Sequence, residues 1–179
     1  YLKVSFLATI VLLYNSFIEA PRLSAEPHYG KFQMSMHYLS TLFTPNSLAV
    51  FGASDRKNAV GEVVFRNILS AGYEGKVFAI NPKHESVQGQ KAYKNLSDIN
   101  KPIDLAIVAN CLGLIRPQKK LNITFGYDNA MQGNIALVSQ SGAICTAILD
   151  WAEAKHIGFS AVVSAGIAAD LDFGDYLDY

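Results

Sequence analysis

Between residues 47 and 83, two short apolar runs enclose a segment of helical spacing. Leu48-Ala49-Val50-Phe51 is short and apolar enough for a buried strand. It stops at Gly52-Ala53-Ser54, and a small-residue loop leads to Gly61. Val60, Val63, Val64, Ile68 and Leu69 then share one face of a helix, which Ala71-Gly72 closes. A second run, Val77-Phe78-Ala79-Ile80, ends at the corner Asn81-Pro82-Lys83. Strand, glycine loop, helix and strand form a βαβ unit, whose crossover makes its strands parallel neighbours.

The pattern continues on both sides. Residues 37–43 are weakly helical, and Pro45-Asn46 breaks that segment. Val87-Gln88-Gly89 reads as a turn, and Tyr93, Leu96 and Ile99 anchor a connecting segment. Residues 104–109 predict a third buried strand. Residues 116–131 are polar and turn-rich and read as a linker. Asn134-Ile135-Ala136-Leu137-Val138 predicts a strand, and Ser139-Gln140-Ser141-Gly142 a tight loop. A helix over 143–155 follows, with Ile144, Ala147, Ile148 and Trp151 on one face. Residues 159–164 predict the next strand, and another helix is expected near Asp172.

Composition narrows the class. Half of the 179 residues are hydrophobic and 17% are charged, which is a globular balance. Fifteen Lys and Arg residues match fifteen Asp and Glu, so nothing points to nucleic acid. Cys111 and Cys145 lack metal-ligand spacing and read as small buried residues of a reducing compartment. The apolar run 4–14 looks like the core of a signal peptide but is short of a ~20-residue span. It is a secretion signal, a membrane anchor, or sequence upstream of a true start at Met34 or Met36. The third reading is preferred, with a cytoplasmic location and no membrane partner.

Two loops carry candidate chemistry. Gly52, Ala53, Ser54 and Gly61 let the backbone approach a ligand, and the helix start beyond them stabilises an anion. The pattern is not G-x-G-x-x-G, and Asn81-Pro82-Lys83 stands where a dinucleotide ribose needs an acidic acceptor. Lys83 can neutralise a phosphate, so the site reads as phosphate-binding and ill suited to NAD. Ser139, Ser141 and Gly142 form a second anion cradle at a helix start. A G-x-S-x-G nucleophile elbow competes there, but Ser139 stands in place of its first glycine. His84 reads as a solvated loop residue. His156 sits at the far end of its helix, roughly 20 Å from the cradle at 1.5 Å per residue.

Gly52-Ala53-Ser54, Gly61, Gly72-Tyr73-Glu74-Gly75 and Asn81-Pro82-Lys83 together resemble the CoA-binding domain of NDP-forming acyl-CoA synthetases. The same domain occurs in related protein lysine acetyltransferases and, more distantly, in the succinyl-CoA synthetase α subunit. Asn110-Cys111-Leu112-Gly113 resembles the end of a later family motif, and Ser139-Gln140-Ser141-Gly142 the loop opening the next domain. The resemblance implies an incomplete Rossmann-like CoA-binding domain at 36–116 and a linker at 117–133. The start of a flavodoxin-like, succinyl-CoA-ligase-like α/β domain follows at 134–179, and 1–35 is an extension outside the family. Coenzyme A is then the ligand of Gly52, Ala53, Ser54, Gly61, Asn81, Pro82 and Lys83. Ser139, Ser141 and Gly142 hold the phosphate of a phosphohistidine. Family members join a carboxylic acid to CoA with a nucleoside triphosphate. ATP or ADP and Mg enter only in the full-length family, whose ATP-grasp subunit or domain is a possible partner.

The chain departs from that pattern in three places. On the order of fifty residues, two helix–strand units, are absent between Ala109 and Asn110. Their loss predicts exposed apolar surface and an unpaired sheet edge. Gly166-Ile167 replaces the family's Gly-Asn, and the phosphohistidine segment is expected beyond Tyr179. The chain therefore reads as a CoA-binding fragment, inactive alone and without catalytic or metal-binding residues. The alternatives are a free-standing CoA-binding regulatory module, the N-terminal part of a lysine acetyltransferase, and a degenerate remnant that binds nothing.

Overall fold

The structure, a computed structural model, describes residues 10–12, 39–108, 112–126, 129–166, 171 and 173–179. The candidate start residues Met34 and Met36, Cys111 and Ile167 lie outside the described residues.

The first sheet is built from β1 (Ile10–Leu12), β2 (Ser47–Phe51), β3 (Lys76–Ile80), β4 (Ser86–Val87), β5 (Gln90–Tyr93) and β6 (Leu105–Val108). Its order is β1-β6-β2-β3-β5-β4. β2 pairs in parallel with β3 and β6, and β5 extends the parallel set beside β3. Helix α1 (Ser40–Phe43) precedes β2, and α2 (Val60–Ser70) crosses from β2 to β3. Gly72, at φ +79°, ends α2 in the left-handed conformation that glycine adopts without steric cost. The 90–93 stretch, expected as a connector, is a strand. Ala92 turns inward to the core while Lys91 and Gln90 stay exposed.

The edge expected to be unpaired is covered. β1, from the apolar N-terminal run, pairs antiparallel with β6 from Ile10–Ile107 to Leu12–Leu105. A strand edge with free N–H and C=O groups is a template for another strand, and this chain supplies its own.

The second sheet has the order β8-β7-β10-β9, from β7 (Gly113–Arg116), β8 (Leu121–Thr124), β9 (Gln132–Ser139) and β10 (Phe159–Ser164). β9 and β10 are parallel and joined by α3 (Gly142–Ala154); α4 (Phe173–Asp178) follows. β7 and β8 form an antiparallel hairpin on the other side of β10. The 117–133 stretch, read as a linker, thus holds the fully buried strand β8. β7, read as the tail of the first unit, pairs within the second sheet. Leu114, Ile115, Leu121 and Ile123 are all buried, and their burial outweighs the polar turn between the two strands.

Helix α2 lies between the first sheet and this hairpin. Val64, Phe65 and Ile68 join Leu48, Val50 and Ile107 on one side and Leu114, Leu121 and Ile123 on the other in one core. Each such side chain contributes about 1.5–3 kcal/mol on full burial. Asn67 Nδ2 ties the helix to the hairpin by donating to the carbonyls of Thr124, at 2.9 Å, and Gly126.

Helix α3 buries a different stripe from the one expected. Cys145 and Ala152 are buried, with Ile148 and Leu149 packed beside them. Ile144 and Trp151 are more than half exposed, as is Ile135 on β9 at the outer edge of the second sheet. Among the described residues, no helix is long and apolar enough to cross a membrane.

Candidate functional site

The first candidate site lies at the C-terminal ends of β2 and β3, the end of a parallel sheet where ligands bind. Gly52 follows β2 with φ +75°, and its N–H donates to Ile80 O at 2.9 Å. Among the described residues, apart from its chain neighbours, no atom lies within 4 Å of where its β-carbon would sit, so the turn is open. Gly61, in the first turn of α2, is the opposite case. A β-carbon there would stand 1.9 Å from Gly52 O. The glycine pair therefore seats the helix start directly on the turn.

The Asn-Pro-Lys corner is brought to this turn by one side chain. Asn81 Nδ2 donates to Ala53 O at 2.8 Å, and Asn81 Oδ1 accepts from Lys83 N at 2.9 Å. Ala53 is fully buried; Pro82 and Lys83 are exposed. Gly52, Ala53, Gly61, Asn81 and Lys83 are thus gathered at one end of the sheet. Ser54 is occupied locally: its Oγ accepts from Arg56 N at 3.0 Å.

Three features escaped the sequence reading. Arg56 and Lys57 are exposed on the same loop and, like Lys83, have no ion-pair partner among the described residues. Gln88 locks the loop from the side, with Nε2 donating to Ser54 O at 3.2 Å and Glu62 O at 2.9 Å. Its backbone N–H donates to Asp55 Oδ1 at 2.7 Å. Gln88 and Gly89 both have positive φ, 47° and 76°, which suits a two-residue hairpin turn between β4 and β5. The Gln-Gly dipeptide signalled the turn, but nothing local signalled its partners 26 and 34 residues away.

Glu62 modifies the electrostatics expected at the start of α2. It is buried in the first helical turn, where a carboxylate is itself stabilised by the helix dipole. Its Oε2 accepts from Asn58 N at 3.3 Å, and its Oε1 accepts from Arg66 at 2.6 Å. This helix end thus already holds an internal anion paired to a guanidinium. Arg56, Lys57 and Lys83 supply the surplus positive charge.

The second candidate site is the junction of β9 and α3. Ser141 is the N-cap of α3, and its Oγ accepts from Ile144 N at 3.3 Å. Ser139 Oγ accepts from Ser141 N at 3.1 Å. Gly142 sits so tightly that a β-carbon would lie 3.1 Å from Leu112 Cβ and 3.6 Å from Ser164 Oγ. Ser164 is buried and its hydroxyl has no hydrogen-bond partner among the described residues. Cys145 is fully buried one helical turn below; burial pushes its thiol pKa up and a hydrogen bond with Ser139 pulls it down. His156 is exposed beyond the far end of α3 and takes no part. Both described junctions lack a metal cluster: among the described residues, no group of three or more His, Cys, Asp or Glu could hold an ion.

A cavity of about 540 Å³ opens at the other end of the first sheet, lined by Asn46, Tyr73, Lys76, Lys119 and Lys120 among others. It lies by the N-terminal ends of β2 and β3, away from the glycine turn, and plays no part in the site above.

Two parallel βα junctions closed by small-residue turns define a Rossmann-like α/β protein. Sequence and structure comparisons narrow that class: the chain is homologous to ADP-forming acyl-CoA ligases. Residues 132–179 match the family model described as succinyl-CoA ligase like flavodoxin domain. The 4-hydroxybutyrate–CoA ligase (ADP-forming) of Nitrosopumilus maritimus is 33% identical over 196 residues, covering 77% of this chain and 28% of the relative. The α subunit of acetate–CoA ligase (ADP-forming) I from Pyrococcus furiosus is 28% identical over 201 residues, 79% of this chain and 44% of its own. The dinucleotide-forming acetyl-coenzyme A synthetase 1 of Ca. Korarchaeum cryptofilum, in its apo form, superposes with a TM-score of 0.75 at 30% identity. That match covers 78% of this chain and 42% of the other. The same enzyme in complex with phosphate and ADP superposes with a TM-score of 0.74. The chain thus spans less than half the length of these relatives.

The alignment lengths also bear on the internal gap. Seventy-seven per cent of 179 residues is about 138, so about 58 of the 196 positions matched in the Nitrosopumilus enzyme have no counterpart here. A separate match of 80 residues covers 45% of the chain, about 81 residues, and shows no such excess.

Proposed function

We propose that this chain is the CoA-binding part of an NDP-forming acyl-CoA synthetase, the enzyme class that makes an acyl-CoA from a carboxylic acid, CoA and a nucleoside triphosphate. It joins an incomplete CoA-binding unit to the start of the flavodoxin-like domain. The observation that carries this reading is the Asn81–Ala53 hydrogen bond. It sets the Asn-Pro-Lys corner against an open glycine turn at the ligand-binding end of parallel strands.

The residues fit the ligand. The Gly52 turn leaves backbone open to close approach, and Val60 and Gly61 at the start of α2 precede its first backbone bonds, from Glu62 N and Val63 N to Ala59 O. Arg56, Lys57 and Lys83 offset the phosphate charge of CoA, and Gln88 keeps the loop from collapsing onto the helix end. When bound, CoA supplies the thiol that accepts the acyl group. Gly52, Ala53, Ser54, Gly61, Asn81, Pro82 and Lys83 bind and orient it. At the second junction, Ser139, Ser141 and Gly142 hold a phosphoryl group without competing as nucleophiles. The ATP-grasp function of the class belongs to a complementary subunit or domain, as the name "subunit alpha" of the Pyrococcus relative suggests.

Isothermal titration of the chain with CoA tests the first site. Saturable binding is expected, weakened roughly tenfold by Lys83→Ala through loss of one charge-assisted contact. Absence of heat at millimolar CoA would sink the proposal.

A further inference from the structure

We propose that Ser164 is a ligand-facing hydroxyl of the oxyanion cradle at the start of α3, held unpaired by the fold until a phosphate-sized anion arrives. This rests on the reading of Ser139, Ser141 and Gly142 as a phosphate cradle and adds a residue that no motif marks.

Ser164 is only 7% exposed, and its Oγ has no partner among the described residues. A buried hydroxyl without a hydrogen bond is costly, and such groups are rare enough in folded proteins to demand a cause. Its position supplies one. Ser164 pairs with Ser139 across the parallel β9–β10 ladder, so both side chains emerge on the same face of the sheet. The backbone locks this pair further: Ala165 N donates to Ser139 O at 2.8 Å. Helix α3 starts on that face. Ser164 Oγ lies 3.6 Å from the point where a β-carbon of Gly142 would stand, so the hydroxyl sits against the first residue of the helix.

The cradle is built of hydrogen-bond donors. As the first two residues of a 13-residue helix, Gly142 and Ala143 have N–H groups with no intrahelical acceptor. Ser141 Oγ accepts from Ile144 N, which leaves its proton to be donated, whereas Ser139 Oγ accepts from Ser141 N and is hydrogen-bonded to the Cys145 thiol. Cys145 is kept neutral by burial and adds no competing charge. The hydroxyl protons of Ser141 and Ser164 and two amides around the positive end of a helix suit a small tetrahedral oxyanion. A β-carbon on Gly142 would crowd Leu112 at 3.1 Å and would reach ordinary contact distance of Ser164 Oγ.

The test separates a ligand group from a structural one. The 179-residue chain and Ser164→Ala are titrated with inorganic phosphate and melted without it. Ser164→Ala is expected to weaken phosphate binding roughly ten- to hundredfold, the loss of one hydrogen bond to a charged group. It is also expected to raise the melting temperature, because an unsatisfied buried hydroxyl is gone. Ser164→Cys, close in size and a poor donor, is expected to lose binding with the fold kept. Equal phosphate affinity in wild type and either variant overturns the role of Ser164 while leaving the cradle standing. Weaker binding together with a lower melting temperature in Ser164→Ala also overturns it, since the hydroxyl would then be structural. If wild type itself ignores phosphate, the cradle and the proposal fall together.

Discussion

Gly61 stands against the carbonyl of Gly52, with no room between them for a methyl group: a β-carbon would lie 1.9 Å from the oxygen. The contact is backbone against backbone, so no side-chain rotation relieves it. Alanine at 61 gains up to about 1 kcal/mol of helix propensity but forces the helix start off the turn, which costs about 1–3 kcal/mol or more. Gly61→Ala is expected to be destabilised in urea and to lose CoA affinity beyond what that loss predicts. Alanine at Gly52 meets no atom, yet carries a strain from its φ of +75°.

Asn81 performs two tasks with one amide. Its Nδ2 satisfies the carbonyl of the buried Ala53, and its Oδ1 shapes the turn through Lys83 N. Asn81→Ala leaves that carbonyl unpaired and is expected to cost about 1–3 kcal/mol in denaturant titration. CoA binding is expected to weaken even though Lys83 is intact, because the corner is no longer held to the turn. Unchanged affinity would show that the corner is positioned by other means.

The N-terminal strand guards an edge. β1 pairs with β6 along Ile10–Leu12, and Val11 stands opposite Ala106 in the middle of that ladder. Val11→Pro removes an N–H and disrupts the pairing. Loosening three residue pairs costs about 2 kcal/mol, a fall of roughly 4–8 °C in melting temperature for a chain of this size. With the β6 edge open, light scattering is expected to show concentration-dependent association. An unchanged melt and a monodisperse variant would remove β1 from the folded core.

Alkaline stability depends on two tyrosines. Tyr73 is pushed up to about 12, by burial first and by the Asp104 carboxylate second. Tyr176 is also pushed up to about 12, by burial and then by Asp175. Each folded-state value lies above the ordinary 10, so the unfolded chain releases its protons first as pH rises. The contribution is whole below pH 10 and is lost as pH climbs from 10 to 12. Tyr73 also donates its hydroxyl to Pro45 O at 2.8 Å. Tyr73→Phe is expected to cost about 1 kcal/mol at neutral pH and to make the decline between pH 10 and 12 shallower. A decline as steep as in wild type would assign the alkaline transition to other groups.

Much of the local architecture is legible residue by residue. The apolar run before Gly52, the helical spacing up to Leu69 and the glycine at 72 each name their own structure, because strand burial, amphipathic period and left-handed caps are short-range properties. The grouping of Gly52, Gly61 and Asn81 was legible as well, since a βαβ crossover forces the two strand ends together. Glu62 was visible in the sequence, but its burial at the helix start was not. Gln88 was read as a turn residue, yet its side chain acts on a loop 34 positions away.

The stretch 113–124 marks the same limit from the other side. Its polar turn residues suggested a linker, while its apolar residues were too few in a row to name a strand pair. Only the open side of β10 and the exposed face of α2 turned Leu114, Leu121 and Ile123 into core. The N-terminal run was recognisably apolar, but apolarity alone does not choose between a helix, a signal and an edge strand. By itself, then, the order of residues determined the elements whose signals are periodic or local: the two βα junctions, their small-residue turns and the Asn-Pro-Lys corner. Tertiary structure alone decided which strand covers the β6 edge, which sheet takes the 113–124 hairpin, and that Ser164 is buried without a partner among the described residues. Those outcomes depend on what surface remains open once the other elements have packed, and no window of sequence contains that information.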